Sequence, residues 1–206
     1  MRRGGAWILL AGIGLLATAR GAEAETRYFR PFDLAWADGR WRLSAYAGPL
    51  TEGGVTDILL RGDPQFDRFG LVALGLGREI GATLDGALRM EWEANIAWRH
   101  EGHREIADLR FMIGGRWTAF PWNRWLPTTA AFLIGPSWHS ATSRHEDETG
   151  RARPWGVGHA MELTFAAPHW QSTLVMLRLH HRSSVFGWLG EGTPSDALAL
   201  GLRWHF

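Results

Sequence analysis

The chain is 206 residues long, 46% hydrophobic, with a formal net charge of +1. Near-neutrality removes the electrostatic basis for binding nucleic acid, and the absence of cysteine excludes disulfides and a lipid-modified cysteine anchor. The outliers are 13 Trp and 26 Gly, and tryptophan is favoured where one end of a side chain sits in hydrocarbon and the other is wet.

The chain opens on Met1, Arg2 and Arg3, followed by an apolar run from Ala6 to Ala17 and the small-x-small sequence Ala22-Glu23-Ala24. This is the pattern of a secretory signal peptide cleaved before Glu25. Residues 1–24 are therefore read as a signal peptide, 25–40 as a polar lead-in and 41–206 as the folded domain. Beyond the leader no stretch reaches about 18 consecutive apolar residues, which excludes helical membrane spans. A closed β-barrel is the other way to satisfy every backbone group in lipid. It predicts alternating apolar and polar residues along the chain.

The alternation recurs. Over residues 41–48, Leu43, Ala45 and Ala47 alternate with Arg42, Ser44 and Tyr46. Over 69–79, Val72, Leu74 and Leu76 alternate only with the small residues Ala73, Gly75 and Gly77, so the pattern does not choose the face. The clearest strand is 88–99, where Leu88, Met90, Trp92, Ala94, Ile96 and Trp98 alternate with Arg89, Glu91, Glu93, Asn95, Ala97 and Arg99. Leu109, Phe111, Ile113 and Trp117 then alternate with Asp108, Arg110, Met112 and Arg116. Phe132 and Ile134 mark the apolar face of 129–138, and Met161, Leu163 and Phe165 that of 158–165. A final hairpin completes an all-β, eight-stranded antiparallel transmembrane β-barrel. The segment 55–60 is assigned to a loop, because a ninth strand breaks the even count.

Cost decides which face is inside. A charged side chain facing lipid near the midplane costs on the order of 2–4 kcal/mol, so Arg89, Glu91, Glu93, Arg110, Arg116, Glu162 and Arg178 are expected to point inwards and pair. His180 and Arg182 share that parity and are read as lumen partners for acids such as Glu162. The interior of an eight-stranded barrel is filled by side chains rather than open. With both chain ends in the periplasm, the segments 80–86, 119–127 and 167–171 are periplasmic turns, and Phe120, Pro121, Trp122, Asn123 and Trp125 form part of an aromatic girdle. The longer linkers 49–68, 100–107, 139–154 and 186–194 face outward.

The last hairpin carries the chemistry. In the seventh strand Val175, Leu177, Leu179, His181 and Ser183 share one face; in the eighth, Asp196 precedes Leu198, Leu200, Leu202, Trp204 and Phe206 on one parity. His181, Ser183 and Asp196 are thus expected on the lipid-facing wall, at the outer-leaflet end. An imidazole can take a serine hydroxyl proton as the serine attacks, while a carboxylate holds the imidazole in the productive tautomer. The implied chemistry is acyl transfer from an ester to water. His100, His103 and His159 are scattered without metal-ligand spacing, and Gly75-Leu76-Gly77 precedes no helix, so it is no phosphate loop.

The sequence His181-Arg182-Ser183 in the penultimate strand, with an acidic residue opening the last strand, resembles the His-x-Ser and acidic-residue arrangement of the outer-membrane lipid A 3-O-deacylases. The resemblance covers the barrel in layout, and the specific motif lies in the last thirty or so residues. It implies an eight-stranded barrel with a Ser-His-acid triad on its outer wall. It also implies hydrolysis of the ester-linked acyl chain at position 3 of lipid A, with Ser183 as nucleophile, His181 as general base and acid, and Asp196 as the orienting carboxylate. The family's acid is typically glutamate, and an asparagine follows its nucleophile to help hold the oxyanion. Here Asp196 and Ser184 stand in those places, leaving the Ser184 hydroxyl and the Gly187 N–H as oxyanion donors. The partners implied are lipid A in lipopolysaccharide and the surrounding outer-membrane lipids, with no metal or cofactor, and a homodimer is compatible with such a barrel. Two other readings share the sequence: a non-enzymatic structural or adhesion-type barrel, and an outer-membrane phospholipase or acyltransferase using the same residues.

Overall fold

The computed structural model describes residues 41–51, 58, 61–62, 65–143, 153–166, 172–183 and 195–206. The expected signal peptide and lead-in and nearly all of the segment 55–60 fall outside the described residues. Eight strands follow in chain order: β1 (Trp41–Thr51), β2 (Phe66–Thr83), β3 (Leu88–Glu101), β4 (Arg104–Trp117), β5 (Thr128–His139), β6 (Trp155–Ala166), β7 (Thr173–Ser183) and β8 (Ser195–His205). Each pairs antiparallel with its neighbour, and β1 pairs with β8, so the sheet closes on itself. At the seam the backbones of Trp41 and Phe206 exchange hydrogen bonds of 3.1 and 3.0 Å.

Closure sorts the side chains by parity. Val72, Leu74, Ile96, Phe111, Phe132 and Leu200 stand exposed on the outside, whereas Leu71, Ala73 and Ala97 are buried inside. This settles β2, whose own pattern left its facing open. Its partner Ala73↔Ala97 lies in the lumen, and Leu74↔Ile96 on the wall. A barrel that is apolar outside and charged inside is built for a bilayer rather than for water.

Several strands run further than their apolar stretches. β3 and β4 pair up to Glu101↔Arg104, with Gly102 at φ 74° in the turn, so most of the expected linker 100–107 is a continued ladder. The rung His100↔Glu105 is polar on the outside, and His100 Nδ1 lies 2.5 Å from Glu105 Oε1. Backbone pairing outlasts apolar patterning because hydrogen bonds between strands do not depend on the side chains being lipid-soluble. At the other rim β2 and β3 meet across a tight turn, residues 84–87, with Leu84, Asp85 and Gly86 all at positive φ. The turn before β5 is tied by Asn123, whose side chain donates to Thr118 O at 2.5 Å and accepts from Thr128 N at 2.9 Å. Trp122 and Trp125 remain exposed beside it.

The lumen is plugged in two tiers. Nearer the inner rim, Glu91, Glu93 and Glu162 face Arg42, Arg116, Arg178 and Arg203, all buried. Arg116 reaches Glu91 at 2.8 Å and Glu162 at 2.6 Å; Arg203 reaches Glu162 at 2.7 Å; Arg178 reaches Glu93 at 2.7 Å; and Arg42 is hydrogen-bonded to Glu91. Nearer the outer rim lies a polar centre on Asp108, and the lumen also holds an apolar cluster that includes Tyr46, Leu50, Leu71 and Met176. His180 and Arg182 do point inward, but their partners are not Glu162. His180 bonds Asp108 at 3.0 Å and Tyr46 at 2.9 Å, and Arg182 donates to Ser137 and to the carbonyls of Arg153 and Pro154. The tilt and stagger of the strands carry these two side chains outward of the acid layer, a displacement that parity alone does not encode.

Glu91 accepts from three arginines, at Arg42, Arg116 and Arg203. Glu91→Ala therefore leaves guanidinium groups buried without their counter-charge, and removal of one partner from a buried ion pair typically costs about 3–5 kcal/mol. The expected loss is of that size and appears as a lowered urea midpoint for unfolding from lipid vesicles. A midpoint equal to that of the unaltered barrel disproves the network's structural role.

Candidate active site

β7 projects its odd-numbered residues outward, so His181 and Ser183 emerge on the same face, two positions apart. The register of β7 with β8 sets His181 directly opposite Asp196. The two side chains are hydrogen-bonded, His181 Nδ1 to Asp196 Oδ1, with side-chain exposures of 12% and 0%. A carboxylate accepting at Nδ1 fixes the imidazole as the tautomer with its lone pair on Nε2, which is the form that can receive a hydroxyl proton. Ser183 lies one side-chain step further toward the outer rim, half-buried, across from Val157 of β6. Three of the expected residues therefore share one patch of the outer wall, and two of them are in direct contact. Ser184 and Gly187, the expected oxyanion donors, lie outside the described residues.

Asp196 is more enclosed than a lipid-facing residue need be. Its Oδ2 is buried and has no hydrogen-bond partner among the described residues, so His181 is the one polar contact seen for the carboxylate there. Asp196 also sits opposite Thr51 of β1, which is itself buried.

Two further residues belong to this patch. His159 of β6 is the cross-strand partner of His181, and their rings lie 5.1 Å apart between centroids. The signal was present in the sequence: His159 shares the parity of Met161, Leu163 and Phe165, so it is a polar residue on an apolar face, as His181 is. The second residue acts from inside. Arg110 donates from Nη1 to the backbone carbonyl of His181 at 2.7 Å. Asp108 holds the same guanidinium at 2.6 Å. Arg110 passes under Gly158, where an added Cβ would stand 2.9 Å from Arg110 Cδ. No strand pattern announces that contact, because it joins β4 to β7 across the lumen.

The wall beside the patch is grooved. Leu109, Phe111, Pro136, Trp138 and Trp155 line an open apolar groove of about 560 Å³. Pro136 pairs with Val157, and Val157 with Ser183, so the groove lies two strands from the serine. A larger groove of about 670 Å³ follows β1 between Leu74 and Leu200. Among the described residues no group of three His, Cys, Asp or Glu side chains could hold a metal ion.

No family model matches the chain, and no curated protein matches it. Solved structures do. The outer membrane enzyme PagL is similar, with a TM-score of 0.59 at 12% identity over 80% of this chain and 99% of that one. Neisserial surface protein A gives 0.49 at 10% identity over 81% and 97%, and Ail of Yersinia pestis 0.43 at 11% over 82% and 99%. At such identities the likeness is one of fold: the chain has the architecture of a bacterial outer-membrane barrel. A fold does not choose an activity, so the chemistry has to be argued from the patch.

Proposed function

We propose that this barrel is an outer-membrane ester hydrolase that removes an ester-linked acyl chain from lipid A. The observation that carries the reading is the hydrogen-bonded pair of His181 and Asp196 on the lipid-facing wall, with Ser183 on the same strand face. An acid, an imidazole and a hydroxyl in that order are the components of serine acyl transfer. Polar groups are costly to hold on a lipid-facing wall unless paired, and a chemical role gives this pair a reason to be there.

Ser183 Oγ attacks the ester carbonyl while His181 Nε2 takes its proton, and Asp196 stabilises the imidazolium that results. The proton passes to the departing sugar hydroxyl, leaving an acyl group on Ser183. Water, activated by the same imidazole, then releases the fatty acid. The Ser184 hydroxyl and the Gly187 N–H are the donors we assign to the oxyanion. The substrate enters sideways from the outer leaflet, and the groove at Phe111 and Pro136 offers an apolar surface for an acyl chain within reach of the serine. The outward placement of the patch and the resemblance of His181-Arg182-Ser183 to the lipid A 3-O-deacylase motif support lipid A as the substrate.

The test is mass spectrometry of lipid A from cells producing this chain, beside cells carrying the empty vector. Loss of one hydroxyacyl group only where the chain is produced is the expected result. Identical profiles, with the barrel folded in the outer membrane, remove lipid A from the reading and turn the same assay to phospholipid esters.

A further inference from the structure

The row that crosses β6, β7 and β8 at the height of His181 is polar, on a phase that is apolar at Leu179, Met161 and Leu198 just below it. It runs Ile134, His159, His181, Asp196, Thr51 from β5 round to β1. Asp196 holds one flank of His181. On the other flank stands His159, ring to ring at 5.1 Å and 31°. His159 is in turn backed by Phe132, at 5.9 Å and 47°. The imidazole of His181 is therefore confined between a carboxylate at its edge and a supported aromatic ring against its face.

Confinement of that kind has a chemical use. If His181 turned about its Cβ–Cγ bond, Nδ1 would leave Asp196 and the direction of Nε2 would change, and misplacement of a catalytic group by about 1 Å can cost a hundredfold in rate. When His181 takes the serine proton it becomes a cation, and the face of a neutral aromatic ring attracts a cation close to it. The charged groups near the pair are Asp196 from β8 and Arg110 from β4. The latter meets the His181 backbone carbonyl from the lumen side. A ring on the β6 side completes the enclosure without adding charge.

We infer that His159 is a positioning residue for ester hydrolysis, holding the His181 ring against Asp196 and supporting it face-on once it is protonated. The inference rests on the hydrolase reading above. It assigns the role to the aromatic face of His159 rather than to its nitrogens, so phenylalanine should replace it and a leucine of similar bulk should not.

The experiment measures kcat and KM for lipid A in mixed micelles with the full barrel and its His159→Leu and His159→Phe variants, each checked for folding by its heat-modifiable mobility in electrophoresis. His159→Leu is expected to lower kcat about tenfold with KM within about twofold, and His159→Phe to stay within about threefold of the unaltered barrel. Leucine at full kcat overturns the inference, and so does phenylalanine falling as far as leucine. An unaltered barrel that cleaves neither lipid A nor phospholipid esters removes the hydrolase reading and this role with it. An active barrel indifferent to His159→Leu removes this role alone.

Discussion

Replacing Ser183 with alanine is expected to abolish deacylation, with kcat lower by at least about a thousandfold, while the barrel folds as before. The side chain is small, half-buried and near the outer rim, and the change removes one oxygen from a wall that tolerates apolar atoms. Stability should therefore change little. The loss is chemical: with no oxygen to form the acyl-enzyme, the His181 and Asp196 pair has no nucleophile to activate, and residues that act as a unit lose most of their effect when one is removed. Quantitative mass spectrometry of released fatty acid from purified barrel in micelles checks it. Equal release by both proteins would place the nucleophile elsewhere.

Asp196→Asn is the second large effect. The amide keeps the shape of the carboxylate but can donate a hydrogen bond to Nδ1, which moves the imidazole proton to Nε2 and leaves no base facing the serine. In a serine protease the corresponding exchange lowers kcat by about 10⁴, and a fall of about 10²–10⁴ is expected here. KM should hold, because the Asp196 side chain is fully buried against His181 and offers no surface to the substrate. An Asn variant that retains full kcat would show that the hydrogen bond between His181 and Asp196 serves only to pin the end of β8 to β7. Comparison with Asp196→Glu adds a geometric measure, since the longer acid is the usual one in the lipid A 3-O-deacylases.

The two expectations differ in how they could have been reached. His181 and Ser183 are two residues apart on one strand, so their shared face follows from the period of a β-strand. Asp196 is thirteen residues from Ser183, across a glycine-rich connection, and only the pairing of β7 with β8 sets it opposite His181. The strand parity predicted the right face for it, and the register supplied the partner. His159 is a different case. It carries the same sign as His181, a polar residue in an apolar phase, but a search by metal-ligand spacing sets it beside His100 and His103, and only its parity separates it from them.

What the sequence determined by itself is the barrel: alternation with charges on one phase leaves no other membrane-compatible arrangement, because lipid penalises a charge or an unpaired backbone group wherever it sits along the strand. The positions of the apolar wall and the inward set of arginines and glutamates followed from that one cost. The tertiary structure alone decided the pairings. Which arginine meets which glutamate, that His180 finds Asp108 and Tyr46 rather than Glu162, and that Arg110 crosses the lumen to the His181 carbonyl all depend on strand tilt and stagger. Those are properties of closure, shared by eight strands at once, and no window of local sequence contains them.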